Sequence, residues 1–187
     1  MTKYLKEENG FTLIELLIGL FIISTIGTLV VGILWVSLKS TVKINNMNII
    51  RHHSNYAVLQ ITKMLQFAKE FQGVSQDGIT FTTNCESPSI PVGSIYSSVR
   101  ISNHDGGITT LSCLGNDNTI ASNSASLFSI ETFEVTDCNF TCTQISEGSS
   151  YSVGFRFKVQ KKNDGNILDD PAALNFQNTV TIRNSYL

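Results

Sequence analysis

A lone carboxylate and four thiols are the residues whose types and spacing promise chemistry. Glu15 lies inside residues 10–24, which read G-F-T-L-I-E-L-L-I-G-L-F-I-I-S. A charge in hydrocarbon costs roughly 2.5–3.5 kcal/mol even on the lenient insertion scale, so an acid kept there calls for compensation by a cation, by its own chain or by the membrane interface. Cys85, Cys113, Cys138 and Cys142 all fall beyond this run, in a half rich in Ser, Thr and Asn. An even count outside a bilayer predicts two disulfides and an oxidising, extracytoplasmic location. The intervening lengths of 27, 24 and 3 residues lack the paired C-x2-C units of a zinc ribbon. Three pairings are open. Local order favours Cys85–Cys113 and Cys138–Cys142, the second closing a very short loop.

Other groups carry less. Asp164, Asn166, Asp169 and Asp170 form a weak calcium candidate. They lack the EF-hand spacing and its terminal bidentate Glu, and read first as a solvated acidic turn. His52 and His53 point about 100° apart on a helix and are poorly placed to share a metal. His104-Asp105 precedes Gly106-Gly107 and reads as turn chemistry. Asn139-Phe140-Thr141 matches a glycosylation acceptor but lies between two cysteines. No G-x-S-x-G, P-loop or H-E-x-x-H motif occurs, so neither an enzyme nor a cofactor is expected. Lys161-Lys162 without interleaved aromatics, in a chain of net charge −2, argues against nucleic acid as a partner.

The elements that must position these groups follow from periodicity. Residues 11–38 contain one charge, Glu15. As a helix they would be about 42 Å long, against a hydrocarbon core of about 30 Å. The run is too long for a secretory signal, and no A-x-A site follows it. Lys3 and Lys6 precede it and Lys39 and Lys43 follow it, so the positive charges leave the orientation open and the distal cysteines place the C-terminal part outside.

From Lys39 to about Phe71 the helix becomes amphipathic, with Val58, Ile61, Leu65 and Ala68 on one stripe, Met64, Phe67 and Phe71 on the adjoining one, and Asn46 among the polar positions of the other faces. Gly73 reads as the helix stop. Strands are then expected around Ile79 and Phe81, over Ile95 to Ile101, around Phe128 and Ile130, over Ser152 to Gln160 with Val153, Phe155, Phe157 and Val159 inward, and from Leu174 to Ile182. Asp105-Gly106-Gly107, residues 116–126 and Asn163-Asp164-Gly165-Asn166 read as loops. The expected fold class is α+β: a long N-terminal helix, membrane-spanning in its first half and amphipathic in its second, packed on a mostly antiparallel β-sheet head. The expected division is 1–10, 11–38, 39–73 and a disulfide-containing head over 74–187.

The polar leader ending in Gly10, Phe11 opening the apolar helix and Glu15 as its fifth residue together resemble the N-terminal processing and methylation motif of type IV pilins and of the pseudopilins of type II secretion. The resemblance implies a prepilin peptidase cutting between Gly10 and Phe11 and methylating Phe11. It makes residues 1–10 a leader, although Glu7 and Glu8 offset Lys3 and Lys6 where the family's leader is basic. It gives Glu15 an assembly role, pairing with the new ammonium of a neighbouring subunit. The run L-Q-I-T-K-M-L-Q-F-A and the ending F-Q-N-T-V-T-I-R-N are similar to J-type pseudopilins and W-type minor pilins. Some pseudopilins use calcium in loops like 164–170. Implied partners are the peptidase, other pilin or pseudopilin subunits and an inner-membrane assembly platform. The implied location is the inner membrane with an extracytoplasmic head, then a pilus or pseudopilus. The alternative is a membrane-anchored extracytoplasmic binding domain that never polymerises.

Overall fold

The computed structural model describes residues 10–85, 94–114, 119–144, 150–162 and 172–182. Residues 1–9, residues 163–171 with Asp164, Asn166, Asp169 and Asp170, and Arg183-Asn184 lie outside the described residues. The chain is α+β. Helix α1 runs Leu13–Gln66, uninterrupted because no proline or helix-breaking turn residue cluster interrupts it. Contacts divide the chain into two compact units between Val42 and Lys43.

In the first unit, α1 is long and apolar enough to cross a membrane. Its large apolar side chains from Leu13 to Leu38 are 49–76 % exposed, the pattern of a helix whose apolar surface faces something other than its own chain. Thr25 and Thr28 donate their hydroxyls back to the carbonyls of Ile22 and Thr25, which satisfies these polar groups inside an apolar stretch.

In the second unit, the rest of α1 buries Asn46, Ile50, Ser54, Ala57, Ile61 and Leu65. The steps of three and four residues keep this seam on one face. Asn46 corrects the sequence expectation: like Ser54 it is polar, yet both lie inside, because position on the seam and not residue type sets their burial. The helix also stops earlier than Phe71 and Gly73 suggest. After Gln66, strand β1 takes Glu70–Ser75, and Phe71 is buried as a strand residue beside Ile101. Gly73 sits at a bulge with φ 129°, where a Cβ would come within 2.7 Å of the Thr82 carbonyl oxygen. Glycine is needed there for a close backbone approach, not for a helix cap.

The head contains two antiparallel sheets. β1, β2 (Ser98–Ser102), β3 (Ile108–Leu114), β4 (Thr119–Ser122) and β5 (Ala125–Ser126) pair in sequence order. β6 (Phe133–Gln144), β7 (Tyr151–Lys161) and β8 (Ala173–Ile182) form the other sheet. β2, β7 and β8 fall where alternation places them. In β7, Val153, Phe155, Phe157 and Val159 are all buried. The turn at Asp105 is also as expected, with its Oδ1 accepting the Gly107 N–H at 2.9 Å.

Other strand expectations fail. Ile79 is exposed in a loop, and Phe81 lies under the Arg100 guanidinium, 3.6 Å from its ring centroid. Phe128 and Ile130 occupy bends and turns; Phe128 is buried by edge-on contact with Phe133 and Phe157. The Ser/Asn-rich stretch expected as loop contains β4 and β5, turned at Asn123 and Ser124, both at positive φ. Composition misled here because Ser and Thr fit a half-buried strand once cross-strand partners exist.

The disulfides are Cys85–Cys142 and Cys113–Cys138, which corrects the pairing by local order. β6 carries Cys138 and Cys142 but lies in the other sheet from Cys113 of β3, with Cys85 in the segment after β1. Each bridge therefore joins β6 to the five-stranded sheet or to the segment that follows its first strand. Between them, Tyr96 and Phe140 exchange two backbone hydrogen bonds of 2.9 Å. Cα separations of 5.3 and 5.7 Å suit the observed pairs.

Candidate functional site: the N-terminal turn of the apolar helix

Residues 12–15 read T-L-I-E, the S/T-x-x-E pattern that starts helices. With α1 beginning at Leu13, Thr12 is the N-cap and Glu15 the third helical residue. The Thr12 N–H and hydroxyl both donate to Glu15 Oε2, at 3.1 and 3.0 Å. The Glu15 N–H donates back to the Thr12 hydroxyl oxygen at 3.4 Å. This is a reciprocal capping box, and it places a carboxylate at the positive end of the helix macrodipole.

Glu15 is thus compensated in part within its own chain. The sequence signal for this was present in the T-x-x-E spacing, but attention to the charge alone passes over it. Both bonds fall on Oε2, and Oε1 takes no bond among the described residues. Gly10 and Phe11 precede the helix, outside its first turn. Among the described residues, and apart from its chain neighbours, none has an atom within 4 Å of a Cβ built on Gly10, and Phe11 is 82 % exposed. The Gly10–Phe11 bond is therefore in open, non-helical chain, a form that a peptidase can bind extended.

The remaining sequence candidates lie elsewhere. The cysteines are all in the head, in disulfides. The His53 ring packs on Phe133 at 5.0 Å. Asp105 serves its turn, and the Lys162 ammonium donates to the Ile130 carbonyl at 2.7 Å. Asn139 and Thr141 are strand residues of β6 flanking buried Phe140. Residues that sequence reading missed include Asp77, whose Oδ1 accepts from Ser75 Oγ and the N–H groups of Ile79 and Thr80 at 2.7–2.9 Å. Those bonds hold its carboxyl well below the usual carboxylate range.

Residues 5–31 match the family model described as the prokaryotic N-terminal methylation motif. No curated protein and no solved structure matches the chain. The matched stretch contains Gly10, Phe11 and the Thr12–Glu15 capping box, and it ends inside the apolar half of α1. The motif, together with the membrane-length helix that carries it, supports a type IV pilin-like precursor, a structural class of protein.

Proposed function

We propose that this chain is a minor type IV pilin or a pseudopilin. A prepilin peptidase cuts between Gly10 and Phe11, and the exposed amine of Phe11 is methylated. The mature chain then stays in the inner membrane by its apolar helix, head outside, until an assembly platform moves it into a pilus or pseudopilus. The observation that carries this reading is the match over residues 5–31, with one carboxylate in an otherwise uncharged span.

Cleavage would create an ammonium one residue before the capping box. Glu15 Oε1, not engaged by Thr12, can accept from such an ammonium on a neighbouring subunit. A buried pair of this kind is costly when either charge is left alone, so it acts as a register device more than as a source of stability. Gly19, Ser24, Gly27 and Gly32 would let neighbouring helices approach closely. The disulfides of the head fit an extracytoplasmic location.

Intact mass of the protein recovered from its own cells tests the processing. Loss of residues 1–10 with gain of one methyl group supports it; a chain still beginning at Met1 refutes it. Glu15→Ala tests the register role. The variant is expected to insert in the membrane and to be absent from sheared filaments, and its normal incorporation would remove Glu15 from assembly.

A further inference from the structure

The outer face of the three-stranded sheet holds a trough that the N-terminal chemistry does not use. The inward residues of β7 face the core, and Asn178, cross-strand from Phe155, donates to the Thr62 hydroxyl of α1 at 3.0 Å. Gly154, Arg156 and Lys158 therefore face away from α1. Register aligns Thr141, Gly154 and Thr179 in one row and Asn139, Arg156 and Gln177 in the next. The Tyr96–Phe140 bridge extends the first row by bringing Ile95 alongside. These residues line a concavity of about 510 Å³, within the usual range for small-ligand sites.

Gly154 forms the floor. A Cβ there would overlap the Thr141 hydroxyl and come within 3.4 Å of Thr179 Oγ1. The threonines thus rise as walls on either side of bare backbone.

The lining has a consistent chemistry. Among the described residues, the side chains of Thr141, Arg156, Gln177 and Thr179 make no hydrogen bond or ion pair. Asn139 donates to the Asp137 carbonyl at 3.3 Å and keeps its amide oxygen. Lys158, two residues along β7, adds a second cation on the same face. Hydroxyls and amides match a hydroxyl-rich ligand, and the guanidinium fork matches an oxyanion. An apolar ligand would cover these groups without replacing their water and is disfavoured.

We propose that this trough binds an acidic sugar unit. Its carboxylate pairs with Arg156, and its hydroxyls bond to Asn139, Gln177, Thr141 and Thr179. The site is independent of N-terminal processing, so its test and that of the pilin reading can fail separately.

The full chain in detergent micelles is titrated calorimetrically with oligogalacturonate, with neutral maltotetraose and with inorganic phosphate. Oligogalacturonate is expected to bind. Arg156→Gln should weaken it about tenfold or more, the usual range for losing hydrogen bonds to a charged group. Arg156→Lys should recover part of the affinity, since charge returns without the fork. Gly154→Ala, which raises the floor, should also weaken binding; its melting temperature shows whether the head remains folded, and the Arg156 pair decides the matter if it does not. Lys63→Gln, on an exposed face of α1, should bind as wild type. Absence of oligogalacturonate binding, or Arg156→Gln binding as wild type, would overturn the proposal. Phosphate binding without oligogalacturonate binding would overturn the sugar assignment, and maltotetraose binding of equal strength would overturn the role of charge.

Discussion

The two stretches of α1, residues 13–42 and 43–66, share one backbone geometry and meet different surroundings. Leu29 and Ile33 in the first are 68 and 69 % exposed, whereas Ile50, Ile61 and Leu65 in the second are fully buried. The first stretch is apolar on all sides from Leu16 to Leu38, and its large side chains are left exposed. The second is apolar on a seam, and its surroundings are two sheets joined by disulfides. The difference teaches that helix formation here is cheap and local, while the place of each side chain is set by what covers it.

The contrast is broken most strongly through the head. Substituting Cys85 and Cys142 together by Ser should lower its stability by about 4 kcal/mol, and the Cys113–Cys138 pair by about 3.5 kcal/mol, from the loops of 57 and 25 residues that they close. Thermal unfolding with and without reductant, followed by near-ultraviolet dichroism, reads the loss. Helical dichroism from residues 13–42 in micelles should be unaffected. If both signals were lost together, the two stretches would not be independent.

Leu65→Ala should cost about 3 kcal/mol of head stability through a cavity beneath the sheets. Leu29→Ala should change the same melting transition by less than about 0.5 kcal/mol, because it lies outside that core. Comparable shifts from the two would mean that the stretches share a surrounding after all.

Thr12→Ala removes the N-cap and should reduce the helicity of the first turns by about 1 kcal/mol, seen as faster amide exchange at Leu13 and Ile14 with no change in head melting. Ser54→Ala sharpens the comparison from the other side. The Ser54 hydroxyl is buried without a hydrogen-bond partner among the described residues, so its removal should be neutral or stabilising by up to about 1 kcal/mol. A clear loss on denaturant unfolding would reveal a bond to ordered water.

The smallest effect is confined to the loop after β1. The Asp77 pKa is depressed by hydrogen bonds, first from the Thr80 N–H and then from Ser75 and the Ile79 N–H. A carboxylate with a lowered folded pKa contributes its stabilisation above the unfolded pKa and loses it as pH falls through the folded value. The Ile79 and Thr80 amide resonances should therefore stay constant from neutral pH down through the ordinary carboxylate range and move only in stronger acid. Asp77→Asn should lose that transition without altering the melting of the rest of the head.

Much of the architecture was legible in the residues. Hydropathy predicted the membrane-length half of α1, helical periodicity predicted its continuation though not its end at Gln66, and alternation predicted β7 with its four inward residues. The C-terminal strands of the head were clearer than its middle, because β7 and β8 are long and bear Phe and Val on one face, whereas β4 and β5 are short and made largely of Ser, Thr and Ala. Short strands of small polar residues carry almost no periodic signal and exist through their neighbours.

By itself the sequence determined the features whose causes lie within a few residues: the apolar helix, the motif over residues 5–31, the T-x-x-E start and the presence of four cysteines outside the span. Only the tertiary structure decided which cysteines meet, that Asn46 and Ser54 go inside, that Phe71 leaves the helix for a strand, and that Asn139, Thr141, Gly154, Arg156, Gln177 and Thr179 share one trough. Local hydrogen bonds and hydropathy act over one or two turns of chain. Partners that are 25 to 57 residues apart in the disulfides, or spread over three strands, are brought together by packing of the whole head, and no short window of residues contains that information.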